Sequence, residues 1–187
     1  MDDPLYPQEC ALREDVLLHP IGYDIGRFKS EFGVEDRFEH FVAVLDHPGG
    51  PRVIGTACLL PEYPSAGIGK LMQMAVDPQR QGEGIGRRLV VEIERRAFGE
   101  LGLHAIFCHA RDTAYGFYAS LGWEFDSDTF MEAGVAHRRM IFSPEVAEND
   151  GPMPGGVGGG AGEGQIHGGR AEDAGDIGAG GDDVLGV

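Results

Sequence analysis

Met74-Ala-Val-Asp-Pro-Gln-Arg-Gln-Gly-Glu-Gly-Ile-Gly-Arg-Arg-Leu89 is the most informative stretch of the chain. An apolar run from Leu71 to Val76 stops at Pro78. Gly82, Gly84 and Gly86 follow at every second position, and then a helical pattern begins. Glycines there leave backbone N–H groups uncovered at a helix N-terminus, which carries partial positive charge. Such a loop can hold a phosphate. It is not a P-loop, because Gly86 is followed by Arg87 and Arg88 where Lys-Ser/Thr is required. Nor is it a dinucleotide fingerprint, because Arg87 stands where the third glycine belongs.

What fits is Gln/Arg-x-x-Gly-x-Gly/Ala, read as Gln81-Gly82-Glu83-Gly84-Ile85-Gly86. With Val76-x-Pro78 ahead of it, this resembles the pyrophosphate loop of the GNAT N-acetyltransferases. A second segment, Arg111-Asp-Thr-Ala-Tyr-Gly-Phe-Tyr118-Ala-Ser-Leu-Gly122-Trp-Glu-Phe125, is similar to the later helix and strand of that family. Members often read Asn-x-x-Ala-x-x-x-Tyr-x-x-x-Gly-Phe there. Arg111 and Trp123 depart from the pattern. A third, Phe130-Met-Glu132-Ala-Gly134-Val-Ala-His137-Arg-Arg-Met140, resembles the last hairpin of one subgroup. The resemblance implies an α/β (α+β) GNAT fold with a central mixed, mostly antiparallel sheet flanked by helices, over residues 1–145.

Composition sets outer bounds. Net charge is −16 at pH 7, and Lys29 and Lys70 are the only lysines. Nucleic-acid binding normally needs a basic face, so it is not expected. An acidic surface favours cationic acceptors, or reflects solubility or a high-salt habitat. No apolar run is long enough for a membrane span, and the first residues lack a signal pattern. Cys10, Cys58 and Cys108 are odd in number and widely spaced. They read as reduced thiols of a cytoplasmic protein, with no disulfide framework and no metal site.

Along the chain, 8–19 reads as a helix with Leu12, Val16 and Leu17 on one buried face, ended by Pro20 and Gly22. The family usually opens with a strand before it; here that strand is short or missing. Residues 22–39 are mixed and polar. Strands are expected at 40–46, 52–60, 70–76, 104–109, 123–126 and 136–142. Helices are expected over 84–99 and 112–121, the latter with Asp112 as N-cap. Residues 146–187 are rich in Gly and Asp, with few large apolar side chains. They cannot bury enough surface to offset their ordering entropy, and are expected to be disordered.

The resemblance assigns acetyl-CoA as co-substrate and an amine as acceptor, and is compatible with a homodimer. It implies that Met74, Ala75 and Val76 align the thioester arm and that Gln81, Gly82, Glu83, Gly84, Ile85 and Gly86 hold the diphosphate. Ala114 belongs to the same cofactor-binding set. Arg87 and Arg111 either support the phosphates or are solvated surface. Tyr118 matches the family tyrosine near the CoA sulfur. Its reference pKa near 10 lies above that of a thiol, about 8.5, so a hydrogen bond to the developing thiolate suits it better than proton transfer. The base stays open among His109, His137, Glu132 and a chain of water. Equally, His109 could cap a strand end, and Glu132 and His137 could tie the hairpin. The expected reaction is direct attack by a primary amine in a ternary complex. A non-catalytic acyl-CoA sensor or interaction module on the same fold is the alternative.

Overall fold

Residues 3–144 are described by a computed structural model. Seven strands form one sheet: β1 Glu39–Leu45, β2 Arg52–Leu60, β3 Ile68–Val76, β4 Ala105–Arg111, β5 Glu124–Phe125, β6 Phe130–Glu132 and β7 Val135–Phe142. Their order is β1-β2-β3-β4-β7-β5, with β6 also paired to β7. Only β3 and β4 run parallel; every other pairing is antiparallel. This is the mixed, mostly antiparallel sheet that the family resemblance implied.

Helices cover both faces, because successive strand residues point to opposite sides. Leu59, Leu71, Ile106 and Met140 pack with Ile85, Leu89, Val90 and Ile93 of α3 (Ile85–Glu94) and with Tyr118 of α4 (Tyr115–Ala119). Their neighbours Cys58, Leu60 and Met72 face the other way. They meet Leu17 and Leu18, which follow α1 (Tyr6–Arg13), and Phe28 of α2 (Ile25–Phe32). Helix α3 lies close on β2 because Gly55 has no side chain. A Cβ there would sit 2.7 Å from Ile85 Cγ2.

Three expectations need correction. The polar stretch 22–39 holds α2, capped by the Asp24 carboxylate accepting from Arg27 N–H at 2.7 Å and ended by Gly33 in left-handed conformation. The charged residues between its apolar positions hid its period. Asp112 is not an N-cap: its carboxylate accepts only from the adjacent Thr113 N–H, and one 3₁₀ turn precedes a short α4. The first helical segment starts at Tyr6 and runs through wider and tighter turns to Gly22, with Pro20 inside its last turn. No strand precedes it among the described residues. No described helix is long and apolar enough to cross a membrane. The expected Gly/Asp-rich disordered segment, 146–187, lies outside the described residues.

Candidate active site

Strands β3 and β4 pair only at Ile68–Ala105, Gly69–Ile106 and Lys70–Phe107. Beyond that point they part, although β3 continues to Val76 and β4 to Arg111. The parting coincides with a bulge. The β2–β3 register shifts between Thr56 and Cys58, which face Ala75 and Met72. The extra residue is accommodated at Gln73, whose φ of +52° is left-handed, an uncommon state for a residue with a side chain. Gln73 is buried and is held there: Arg13 Nε donates to its side-chain oxygen at 3.2 Å. The same guanidinium makes a two-pronged bond to Glu35 at 2.6 and 2.9 Å. A buried ion pair from the first helix thus anchors the strand where it bends.

Past the bulge the chain enters the glycine loop. Asp77 opens it, accepting from Gln79 N–H at 3.0 Å. Gly82 and Gly84 have φ of +84° and +77°, and a Cβ on either would meet no other atom within 4 Å. The space above the loop is therefore open. Gly84 caps α3 without a side-chain bond, and no acidic residue occupies the first turn. The early amides of a helix have no intrahelical acceptor. An uncapped helix start of this kind is a general site for an anion.

A cleft of about 530 Å³ runs along the loop and the parted strand. Of the residues that the resemblance assigns to the cofactor, Met74, Ala75, Val76, Gln81, Gly82, Gly84, Ile85, Gly86, Arg87 and Ala114 line it. Arg80, Thr113, Phe117, Ser120 and Leu121 line it too and were not singled out. The spacing 113/114, 117, 120/121 is that of one helical face and points to these residues apart from Arg80, which lies in the turn before the glycine loop. Glu83 is not among the lining residues; it faces Arg80 at 3.4 Å. Tyr118 and Arg111 are also absent from this cleft.

Those two line a second, smaller cleft of about 170 Å³ that shares Met74, Thr113, Ala114 and Phe117 with the first. Cys108, Ala110 and Tyr118 belong to the core side of the sheet. His109 and Arg111 alternate with them on β4 and reach the cleft from the opposite face. The Tyr118 hydroxyl donates to Met74 Sδ at 3.4 Å. Burial, with Cys108 as a hydrogen-bonded neighbour, pushes the phenol well above its usual pKa. Burial likewise pushes the Cys108 thiol up to about 12. A thiol held protonated is a poor nucleophile, so Cys108 does not suit an acyl-enzyme role.

The final hairpin delivers the remaining polar groups. Ala133 and Gly134, at φ +47° and +76°, make its two-residue turn with both centres left-handed. This turn sets Glu132 beside β4, where both carboxylate oxygens lie 3.1 Å from His109 Nδ1. His109 also stands edge-on to Phe130, with ring centroids 4.8 Å apart. His137 pairs with Arg111 in register, yet its Nδ1 is bonded to the Val135 carbonyl at 2.9 Å. Burial lowers its pKa, and its Nε2 is buried without a partner. Glu132 therefore serves His109; His137 bonds its own strand and does not line the cleft.

One trio of metal-ligand type exists among the described residues: Glu9, His40 and Cys58, within 4.8 Å of one another. It lines neither cleft. The Glu9 carboxylate already meets His40 at 2.8 Å, accepts from Thr56 at 3.2 Å and lies 3.6 Å from Arg13. An adjacent guanidinium suits a satisfied carboxylate better than a bound cation.

A sequence model of the Acetyltransferase (GNAT) family matches residues 9–123. Among curated proteins, an amino-acid acetyltransferase of Ralstonia nicotianae is 36% identical over 75 residues, which is 40% of this chain and 16% of that protein. The Bacillus subtilis protein YyaT is 30% identical over 80 residues, 43% of this chain and 52% of its own length. The matched stretch thus spans about half of one curated relative and much less of the other. Among solved structures, Escherichia coli ElaA superposes with a TM-score of 0.62 at 15% identity, covering 75% of this chain and 91% of its own. An aminoglycoside 6′-N-acetyltransferase complexed with coenzyme A gives 0.60 at 18% identity, covering 76% and 92%. An acyl-CoA N-acyltransferase from Pseudomonas aeruginosa gives 0.58 at 18% identity, covering 75% and 92%. At these identities the likeness is one of fold.

Proposed function

The chain belongs to the acetyltransferase (GNAT) family, and from that premise we propose that it moves an acetyl group from acetyl-CoA to a primary amine by direct attack. The observation that carries the reading is the parting of β3 from β4 after Lys70–Phe107, with the open glycine loop at its end. Below the parting, the β3 edge from Leu71 to Val76 has no described strand partner on its β4 side, so it can bond an extended pantetheine arm. The loop then takes the diphosphate through backbone amides at the start of α3. Arg80 and Arg87 add positive charge along the same cleft.

The thioester end of such an arm would reach the smaller cleft, where Tyr118 and His109 meet. His109 donates its Nδ1 proton to Glu132, which leaves Nε2 with a lone pair. A histidine held in that tautomer by a carboxylate is an effective general base. It takes a proton from the acceptor nitrogen as that nitrogen attacks the acetyl carbonyl. The C–N bond forms, the C–S bond breaks, and CoA leaves as a thiolate that accepts a hydrogen bond from Tyr118 and then a proton from solvent. A main-chain N–H of β3 is suited to hold the carbonyl oxygen as it becomes negative.

The test is to incubate the protein with acetyl-CoA and a broad set of primary amines, following thiol release and the mass of the acceptor. Turnover with an amine and an acetylated product are expected. Tight acetyl-CoA binding without turnover of any amine would overturn the catalytic reading and leave an acyl-CoA sensor.

A further inference from the structure

We propose that the acceptor is a small primary amine that also carries a carboxylate, and that Arg111 receives this carboxylate in the cleft beside Tyr118. The inference rests on the acetyl-transfer reading and adds the substrate class. Its starting point is the state of Arg111. Other arginines withdrawn from solvent to some degree have partners for their side chains: Arg13 meets Glu35 at 2.6 Å, Arg96 meets Glu39 at 2.6 Å, and Arg138 donates to the Ser127 carbonyl at 3.1 Å. The Arg111 side chain is half-buried and has no ion pair or hydrogen bond among the described residues. Its Nε is shut off from solvent without a partner. Glu132 acts on it from a distance, but both Glu132 oxygens are engaged by His109. Burial lowers the Arg111 pKa, which is the sign of an uncompensated charge. A half-buried guanidinium with no anion is stabilised when a carboxylate docks on its planar fork.

The lining of the cleft agrees. Its polar and charged members are His109, Arg111, Thr113, Tyr118 and Cys108, and no carboxylate lines it. Arg111 is the charged side chain that lines the cleft, and the nearby Glu132 carboxylate is turned to His109. A polycationic amine would face the Arg111 guanidinium and would find Glu132 already engaged by His109. The volume, about 170 Å³, lies below the ~300–1,000 Å³ of clefts that hold drug-sized ligands. Shared with the thioester end of the arm, it leaves room only for a small acceptor. Arg111 does not line the cleft at the glycine loop, so a phosphate of the cofactor is not its natural partner.

The experiment measures kcat/KM with acetyl-CoA for common α-amino acids and β-alanine, each beside its own amide, with spermidine as a cationic comparison. The amides are weaker bases and hold more free amine at neutral pH, which biases the comparison against the proposal. Acids should exceed their amides by about tenfold or more, the range of a hydrogen bond to a charged group. Arg111→Gln should bring that ratio close to one, and Arg111→Lys should keep part of it, with acetyl-CoA affinity by calorimetry unaltered in both. Amides or spermidine turned over as well as the acids would overturn the acidic acceptor while leaving acetyl transfer intact. So would an unchanged ratio in folded Arg111→Gln, or a parallel loss of acetyl-CoA affinity. Turnover of no amine at all, with acetyl-CoA bound, would overturn the acetyl-transfer reading itself. The wild-type ratio needs no variant, so it stands even if Arg111→Gln fails to fold.

Discussion

The Tyr118 hydroxyl donates to the thioether sulfur of Met74 across 3.4 Å, tying α4 to β3 just beyond the bulge. A thioether is a weak acceptor. The hydroxyl is thus held in place by a partner it can leave at small cost. Burial keeps the phenol protonated, with its pKa pushed well above the usual value. The site holds a neutral donor, ready for a stronger acceptor such as a departing thiolate.

Tyr118→Phe keeps the ring in the core and removes only that donor. We expect kcat to fall about ten- to a hundredfold, at or below the low end of acid–base effects. Stability should change by about 1 kcal/mol or less, since one weak hydrogen bond is lost. Single-turnover kinetics, calorimetry with acetyl-CoA and thermal melts separate the outcomes. Full activity with chemistry rate-limiting would reduce Tyr118 to a packing residue.

Gly84→Asp places a carboxylate where the diphosphate is proposed to lie. The left-handed φ of +77° costs a side chain roughly 1–2 kcal/mol, so the fold should survive. Acetyl-CoA binding should be lost. Gly84→Asn has similar size and tolerates the same backbone but lacks charge, and it should bind with intermediate affinity. Equal affinities for the two variants would show that charge at this loop is irrelevant.

His109→Gln and Glu132→Gln should each lower kcat, the first by about 10²–10⁴ and the second by less, because Glu132 acts through His109. The double variant should be little worse than His109→Gln alone. Additive losses in the three kinetic measurements would mean that the 3.1 Å contact does not couple them.

His137 predicts a pH dependence of stability. Burial lowers its folded pKa below the ordinary value of about 6.5. The unfolded chain then takes up a proton at higher pH than the folded one. Stability is full above about 6.5 and is lost as pH falls from there through the lower folded value, after which both states are charged. His137→Gln should flatten that part of the acid limb. Urea unfolding at several pH values measures it, and parallel curves for wild type and variant would rule the histidine out.

Arg13→Met should be costly in a different way. Glu35, buried and bonded to Arg13 through both oxygens, would lose its guanidinium, and Gln73 would lose the donor that holds its side chain at the bulge. Removing one member of a buried pair typically costs about 3–5 kcal/mol. Chemical denaturation should register a loss of that order. Where the variant still folds, acetyl-CoA affinity should fall as well, because the bend of β3 is no longer pinned. A loss under 1 kcal/mol would mean that Glu35 is readily rehydrated.

The sequence by itself determined the elements whose signals are local. The glycines at 82, 84 and 86, the face shared by Ile85, Leu89, Val90 and Ile93, and Tyr118 four residues before Gly122 are set by near neighbours and by backbone freedom. The family resemblance, carried by those motifs, pointed to Met74 to Val76 and to the glycine loop, most of which line the larger cleft. Tertiary structure alone decided what those signals do not encode. Arg13 meets Gln73 across 60 positions and gives β3 its left-handed bend, although Gln73 carries no mark of a bulge in its type. His109 meets Glu132 across 23 positions, which singles one histidine out of two that look alike in sequence. Arg111 read either as a phosphate-side residue or as solvated surface, and the fold sets it in the other cleft without a side-chain partner. Periodicity reports which face of its own element a residue occupies. Which distant charge it meets, or fails to meet, depends on chain reversals that bring remote segments together, and only the folded molecule carries that information.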